Sequence, residues 1–233
     1  NNTPLHKENI ITLVDEKYYD SLLIHRVIPD FMIQMGDPNS KKSNSNSELG
    51  FGGPGYIISA EISTKLIHKR GAIAAARLGG DQNPRKSSSG SQFYIVQGKI
   101  CSDEELDAIE NQRIERMTFQ LIQSYIEKPG NKNVRDDLIT LQNENKSLEF
   151  NQKILEIKKI LKNEILAFDE FRYTQEQRNV YKTIGGSPHL DFEYTVFGEV
   201  IAGMDVVDTI SRVETNASNR PKVDIILKIS IEK

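Results

Sequence analysis

Cysteine occurs once in the 233 residues, at Cys101. A single thiol excludes an internal disulfide and any cysteine-rich metal site. Histidine is nearly as scarce. His6, His25, His68 and His189 stand far apart and form no His-Glu-x-x-His pair, so metal chemistry is not expected. No apolar run approaches the roughly 18 residues of a membrane-spanning helix. Long runs of Lys or Arg are also missing, and a formal net charge of −3 provides no basic face for phosphates, which argues against a nucleic-acid partner. The hydrophobic fraction, 37%, is ample for the core of one large domain or two small ones.

What is present falls into three stretches. Residues 1–100 and 183–233 are rich in Gly, Ser and Ile with short alternating runs, whereas 101–182 are charged and helix-forming. The pattern predicts one domain, 1–100 with 183–233, interrupted by a helical subdomain over 101–182. Ser102-Asp-Glu-Glu105 reads as a capping box, and Leu106, Ile109, Met117, Leu121 and Tyr125 follow near helical spacing until Lys128-Pro129-Gly130. Leu141, Leu148 and Leu155 then recur every seven residues, as do Ile154, Leu161 and Phe168. Such a stripe wants a partner, and an antiparallel helical hairpin with the first helix supplies one. A further helix is expected from Thr174, with Gln177 completing its capping box, to Gly185-Gly186.

The flanking stretches read as mainly β. One helix is expected over 4–19, with Thr3 as its cap, Pro4 in its first turn, and Ile10, Leu13, Val14 and Tyr18 on its buried side. Strands are expected in GAIAAAR (71–77), SQFYIV (91–96), YTVFGEVI (194–201) and KVDIILKISI (222–231), and so many strands suggest a closed sheet. Gly50-Phe-Gly-Gly-Pro-Gly55 formally matches a dinucleotide fingerprint, but Pro54 and the lack of a following helix remove its physical basis. The Ser-rich run from Lys86 to Ser91 reads as a flexible loop.

The most informative stretch is LLIHRVIPDFMIQMGDP, residues 22–38. Two apolar runs around a Pro-Asp turn predict a β-hairpin. By simple alternation Leu22, Ile24 and Arg26 share one face, with Met32 and Gln34 continuing it. A lone strand Arg is most often solvated. Here its neighbours of like parity are apolar, which suits a binding wall with a few placed polar groups.

IHRVIPDFMIQMGDP, then GSQFYIV, then SPHLDFEYTVFGEVIAGMDVVD together resemble the cyclophilins, a family of peptidyl-prolyl isomerases, over residues 4–100 and 183–233. The resemblance implies an eight-stranded antiparallel β-barrel with two capping helices, the second near Gly203 to Arg212. The family's first two strands precede its first helix, so they are expected upstream of residue 1. Localisation stays open: with no Met at the start, a removed export segment would give a bacterial envelope or periplasmic protein, preferred here over a cytoplasmic one, and the lone cysteine suits either compartment.

In this family the Arg of the His-Arg pair is catalytic, which points to Arg26. Phe31, Met32 and Leu190 would line the pocket for the proline ring, and Tyr94 stands where a Phe is usual. Gln34, Gln92 and the backbone at Ala76 and Arg77 would bind the peptide main chain. His189 replaces a frequent Trp and Tyr194 a frequent His, read as changes in affinity. The implied reaction is rotation about X-Pro bonds in peptides and unfolded proteins, with no metal or cofactor. Proline-containing peptides and unfolded clients would be the partners, and the helical insertion a possible site for a protein partner. The alternative from another class is a cyclophilin-fold scaffold whose insertion engages a partner.

Overall fold

The computed structural model describes residues 2–44 and 47–232. Contacts divide the chain into two compact units, residues 1–103 with 175–233, and residues 104–174.

The first unit opens with helix α1 (Pro4–Asp15), which is shorter than the 4–19 expected from sequence. Lys17 and Ser21 adopt positive φ, which ends the helix and turns the chain into the sheet. Pro4 sits in the first turn as expected, but Thr3 makes no side-chain capping bond. The orphan N–H groups of Leu5 and His6 donate instead to the Glu61 carboxylate, each at 3.0 Å, and the His6 ring lies 2.7 Å from the same group. A carboxylate suits a helix N-terminus because the exposed N–H groups carry partial positive charge.

The main sheet contains β1 (Leu22–Ile28), β2 (Met32–Met35), β4 (Ala72–Ala75), β6 (Phe93–Val96), β7 (Val196–Glu199) and β8 (Ile226–Leu227). All pairs are antiparallel, in the order β7-β4-β6-β2-β1-β8. Among the described residues β7 and β8 are its two edges, so hydrogen bonds do not close it. A separate pair joins β3 (Ile57–Ile58) to β5 (Ser88–Ser89), so part of the Ser-rich run expected as a loop is strand.

Alternation gives the main sheet two buried faces. Ile33, Met35 and Phe93 pack with Leu22, Ile24 and Val27 against Leu13 and Val14 of α1 and Val207 of helix α7 (Met204–Ser211). Met32, Tyr94, Val96, Ala74 and Ala76 form the other cluster with Leu190 and Val196.

One register shift changes the reading of the hairpin. Ile24 pairs with Met35, but Arg26 pairs with Gln34. Two steps along β1 therefore match one along β2, which is a β-bulge, and His25 is the extra residue. The assumed sharing of a face by Leu22, Ile24 and Arg26 is overturned. Leu22 and Ile24 stay in the first core with Val27, while Arg26 moves to the face of Gln34 and Met32.

The second unit contains α2 (Asp103–Ile126), whose first residue belongs to the first unit, then α3 (Lys132–Asn143), α4 (Ser147–Ile160) and α5 (Lys162–Leu166). The expected two-helix hairpin is thus incorrect. Asn145 takes a left-handed conformation (φ 55°) and breaks the second run. The leucine stripe is not a seam either, because Leu148 and Leu155 are 78% and 56% exposed. Ile122, Leu138, Ile157 and Leu161 form the core of this unit. Helix α6 (Gln175–Thr183) returns the chain to the first unit, and Gln177 donates to the Thr64 carbonyl at 2.8 Å. Among the described residues α-helical positions outnumber strand positions, so "mainly β" describes only the flanking stretches. Among the described residues no helix is long and apolar enough to cross a membrane.

Candidate active site

The turn between β1 and β2 sets the site's first wall. Asp30 has φ 59°, and its N–H donates to Gln97 Oε1 at 2.7 Å. The next residue's carbonyl, that of Phe31, accepts from the N–H groups of Gln97 and Gly98. These bonds fix Phe31 at the rim. Arg26, Met32 and Gln34 then project from the hairpin, Ala76 and Arg77 from the end of β4, and Tyr94 from β6. Leu190 and Tyr194, on the connection leading to β7, complete a pocket of about 130 Å³. Sites for whole small molecules usually span about 300–1,000 Å³, so this one suits a single small ring.

Arg26 is half-buried on the pocket wall. Its Nη1 donates to Gln34 Oε1 at 3.1 Å, Gln34 Nε2 donates to Gln92 Oε1 at 3.1 Å, and Gln92 Nε2 donates to the Gly52 carbonyl at 2.7 Å. Each amide is oriented by the next, so the guanidinium is held at one end of a relay of polar groups. Arg carries five N–H donors, and the bond to Gln34 occupies only one of them.

The relay is anchored by a loop. Asp37, fully buried, accepts from the N–H groups of Asn39, Gly50 and Gly52. Gly36 approaches so closely that an added Cβ would lie 2.2 Å from the Ser91 carbonyl oxygen. The glycine run once compared with a dinucleotide fingerprint thus supplies the carbonyl that orients Gln92. It also lines a second cavity of about 520 Å³, shared with Gln34, Ala76, Arg77 and Gln92.

Nine of the residues expected from sequence meet at the small pocket. Gln92 lies beside it in the larger cavity. His189 is exposed, with its ring centroid 5.2 Å from that of Phe31. Ala76 contributes its side chain, because its N–H donates to Gln92 O and its carbonyl accepts from Ser89. Arg77 is pinned by the carbonyl and carboxylate of Glu193, at 2.8 and 3.1 Å, and lies 4.5 Å above the Tyr194 ring.

Three residues under the floor were not expected. Tyr94 Oη lies 3.1 Å from His68 Nε2, His68 Nδ1 lies 2.8 Å from Asp191 Oδ1, and Tyr181 Oη donates to Asp191 Oδ2. The added hydroxyl of Tyr94 is therefore tied beneath the floor. Burial holds it protonated, raising its pKa well above the usual tyrosine value. His25, the bulge residue, is 3% exposed and neither ring nitrogen has a hydrogen-bond partner. Burial lowers its pKa to about 4, with Arg26 and Arg220 acting in the same direction and Asp37 opposing them. Among the described residues no group of three or more His, Cys, Asp or Glu is arranged to hold a metal ion.

The arrangement combines a ring-sized pocket, lined by both apolar and polar side chains, with an oriented guanidinium on its wall. The family model for cyclophilin type peptidyl-prolyl cis-trans isomerase/CLD matches residues 1–119 and 141–231. A Streptococcus pyogenes protein named as a bifunctional phosphatase/peptidyl-prolyl cis-trans isomerase is 28% identical over 94% of this chain, which spans 32% of that protein's length. A Staphylococcus haemolyticus protein named as a peptidyl-prolyl cis-trans isomerase is 26% identical over 97% of the chain and 78% of its own length. The crystal structure of a Cryptosporidium parvum cyclophilin type isomerase, determined in the presence of the dipeptide Ala-Pro, shares the fold. It has a TM-score of 0.50 and 18% identity, and the match covers 97% of this chain and 84% of that one. The chain belongs to the cyclophilin-type peptidyl-prolyl cis-trans isomerase family.

Proposed function

We propose that Arg26 is the catalytic residue of prolyl isomerisation in this chain and that the small pocket binds the proline ring. The supporting observation is the guanidinium oriented by Gln34 on the wall of a 130 Å³ pocket that Phe31, Met32, Tyr94 and Leu190 also line. A planar amide resists rotation by about 18–20 kcal/mol because the nitrogen lone pair is delocalised into the carbonyl. As the X-Pro bond twists, that lone pair localises on nitrogen and becomes a hydrogen-bond acceptor. A donor already in place there is worth more in the twisted state than in either planar isomer. Met32, Phe31, Tyr94 and Leu190 hold the ring while the preceding carbonyl turns, and the larger cavity takes the residues before the proline. Presence of Ala-Pro in the Cryptosporidium structure supports this choice of ligand. A protease-coupled prolyl tetrapeptide assay on Arg26→Lys tests the role. An ammonium lacks the planar fork, so the rate should fall at least about tenfold; unchanged turnover would remove the guanidinium from the mechanism.

Unfolded proteins are the proposed clients, and a second observation favours a role for the helical unit in holding them. That unit has a cavity of about 770 Å³, lined by apolar side chains including Ile122, Leu138 and Ile154, with Phe119 62% exposed. A partner protein on this surface is the alternative. The eight-stranded barrel is likewise a proposal, in which two further strands bridge the β7 and β8 edges.

A further inference from the structure

Under the pocket floor the Tyr94 hydroxyl meets three buried polar side chains that the rotation itself does not use; Tyr94, His68, Asp191 and Tyr181 are 5%, 0%, 1% and 0% exposed. Unpaired, each buried group would cost about 1–3 kcal/mol, so their pairing restricts where each can sit. The direction of the bonds follows from the carboxylate, which only accepts. Asp191 Oδ1 takes the His68 backbone N–H at 2.7 Å and His68 Nδ1 at 2.8 Å, which places the ring proton on Nδ1. With that tautomer Nε2 can accept, and the Tyr94 hydroxyl donates to it.

Tyr94 is thereby fixed along its whole length. Its hydroxyl is bound to His68, and its ring stacks on His68 (6.0 Å between centroids, 16° between planes). It also meets Tyr194 edge-on at 6.0 Å, and His68 meets Tyr194 edge-on at 6.4 Å. His68 thus touches two of the pocket's three aromatic walls, Tyr94 and Tyr194, from behind.

We propose that His68 is a positioning residue which, through the Tyr94 hydroxyl, fixes the aromatic floor and makes the pocket select the five-membered proline ring over larger cyclic imino acids. A floor free to tilt or drop would enlarge a cavity of about 130 Å³ by a substantial fraction. The proposal rests on the reading that this pocket binds the proline ring.

The test measures KM and kcat separately for prolyl tetrapeptides and their six-membered pipecolyl counterparts, in wild type, Tyr94→Phe, His68→Phe and the double variant. Tyr94→Phe removes one atom from the floor and should raise KM for the prolyl peptide about three- to tenfold, the scale of one lost hydrogen bond, with a smaller change in kcat. The preference for prolyl over pipecolyl peptide should fall in parallel. In the Tyr94→Phe background, His68→Phe should change KM much less than it does in wild type, because its hydrogen-bonded route to the substrate is already cut and only its ring contacts remain. His68→Gln, which keeps a donor and an acceptor, should recover part of the wild-type KM. A merely structural His68 would lower the folded fraction, reducing apparent kcat and leaving KM and ring preference unchanged. If His68→Phe does not fold, the Tyr94→Phe and His68→Gln measurements still decide. Unchanged KM and ring preference in Tyr94→Phe, or KM effects that multiply in the double variant, would overturn the proposal. Arg26→Ala run alongside separates the two readings: an active Arg26→Ala defeats the proposed function, whereas an inactive one with unaltered Tyr94→Phe defeats only this inference.

Discussion

Arg26 and Gln34 stand opposite each other across the β1–β2 ladder, and the guanidinium donates to the amide oxygen at 3.1 Å. The pairing depends on the bulge at His25, without which Arg26 would point into the apolar core beside Leu22 and Ile24. In the proposed mechanism Gln34 acts by orienting the donor. Gln34→Leu should lower kcat/KM about tenfold, the scale of a bond to a charged group, with little change in thermal midpoint. Peptide turnover and a melting curve check both parts.

His25 makes stability depend on acid. Its ring stays neutral in the folded protein down to about pH 4, against 6.5 for a free histidine, chiefly because it is buried. Above pH 6.5 both states are neutral and the full stability is present. As pH falls, the unfolded chain takes up a proton that the folded one refuses, and roughly 3 kcal/mol is lost by pH 4. Denaturant midpoints between pH 7 and 4 should show this slope in wild type and a shallower one in His25→Gln. Parallel slopes would contradict it.

Gly36 has φ 97°, and a Cβ there would meet Ser91 O at 2.2 Å. Gly36→Ala should cost at least about 2 kcal/mol in urea unfolding, from backbone strain and collision together. A midpoint within error of wild type would refute the close approach.

The local parts of this architecture were legible in the sequence and the non-local parts were not. Pro29-Asp30 between two alternating runs located the hairpin, and the acidic run after Ser102 located the start of α2. The bulge escaped because alternation assumes a strict period of two. The break at Asn145 escaped because leucines continue at seven-residue steps straight through it. At the site, motif residues converge on one pocket, but His68 lies 123 positions from Asp191 and had no spacing to announce it. Only the fold brings those two together.

Asp103, where the chain leaves the first unit, is held by Arg178 at 3.3 Å and by Lys182, just after it returns. Replacing 104–174 with a short Gly-Ser linker should therefore leave tetrapeptide turnover within about twofold, since inserted segments between neighbouring ends are dispensable to the host fold. Reduced action on a full-length unfolded client would support the helical unit as its holder. Loss of tetrapeptide turnover in a folded variant would place part of the site in that unit.

The central claim is that one oriented guanidinium supplies the stabilisation of the twisted amide. The direct measurement is kcat/KM of Arg26→Ala on a prolyl tetrapeptide, with circular dichroism and thermal midpoint confirming the native fold. Removing a preorganised donor of this kind costs about 10²–10³ in rate, and a loss of that size with an intact fold is the predicted result. Wild-type turnover by correctly folded Arg26→Ala would contradict the account.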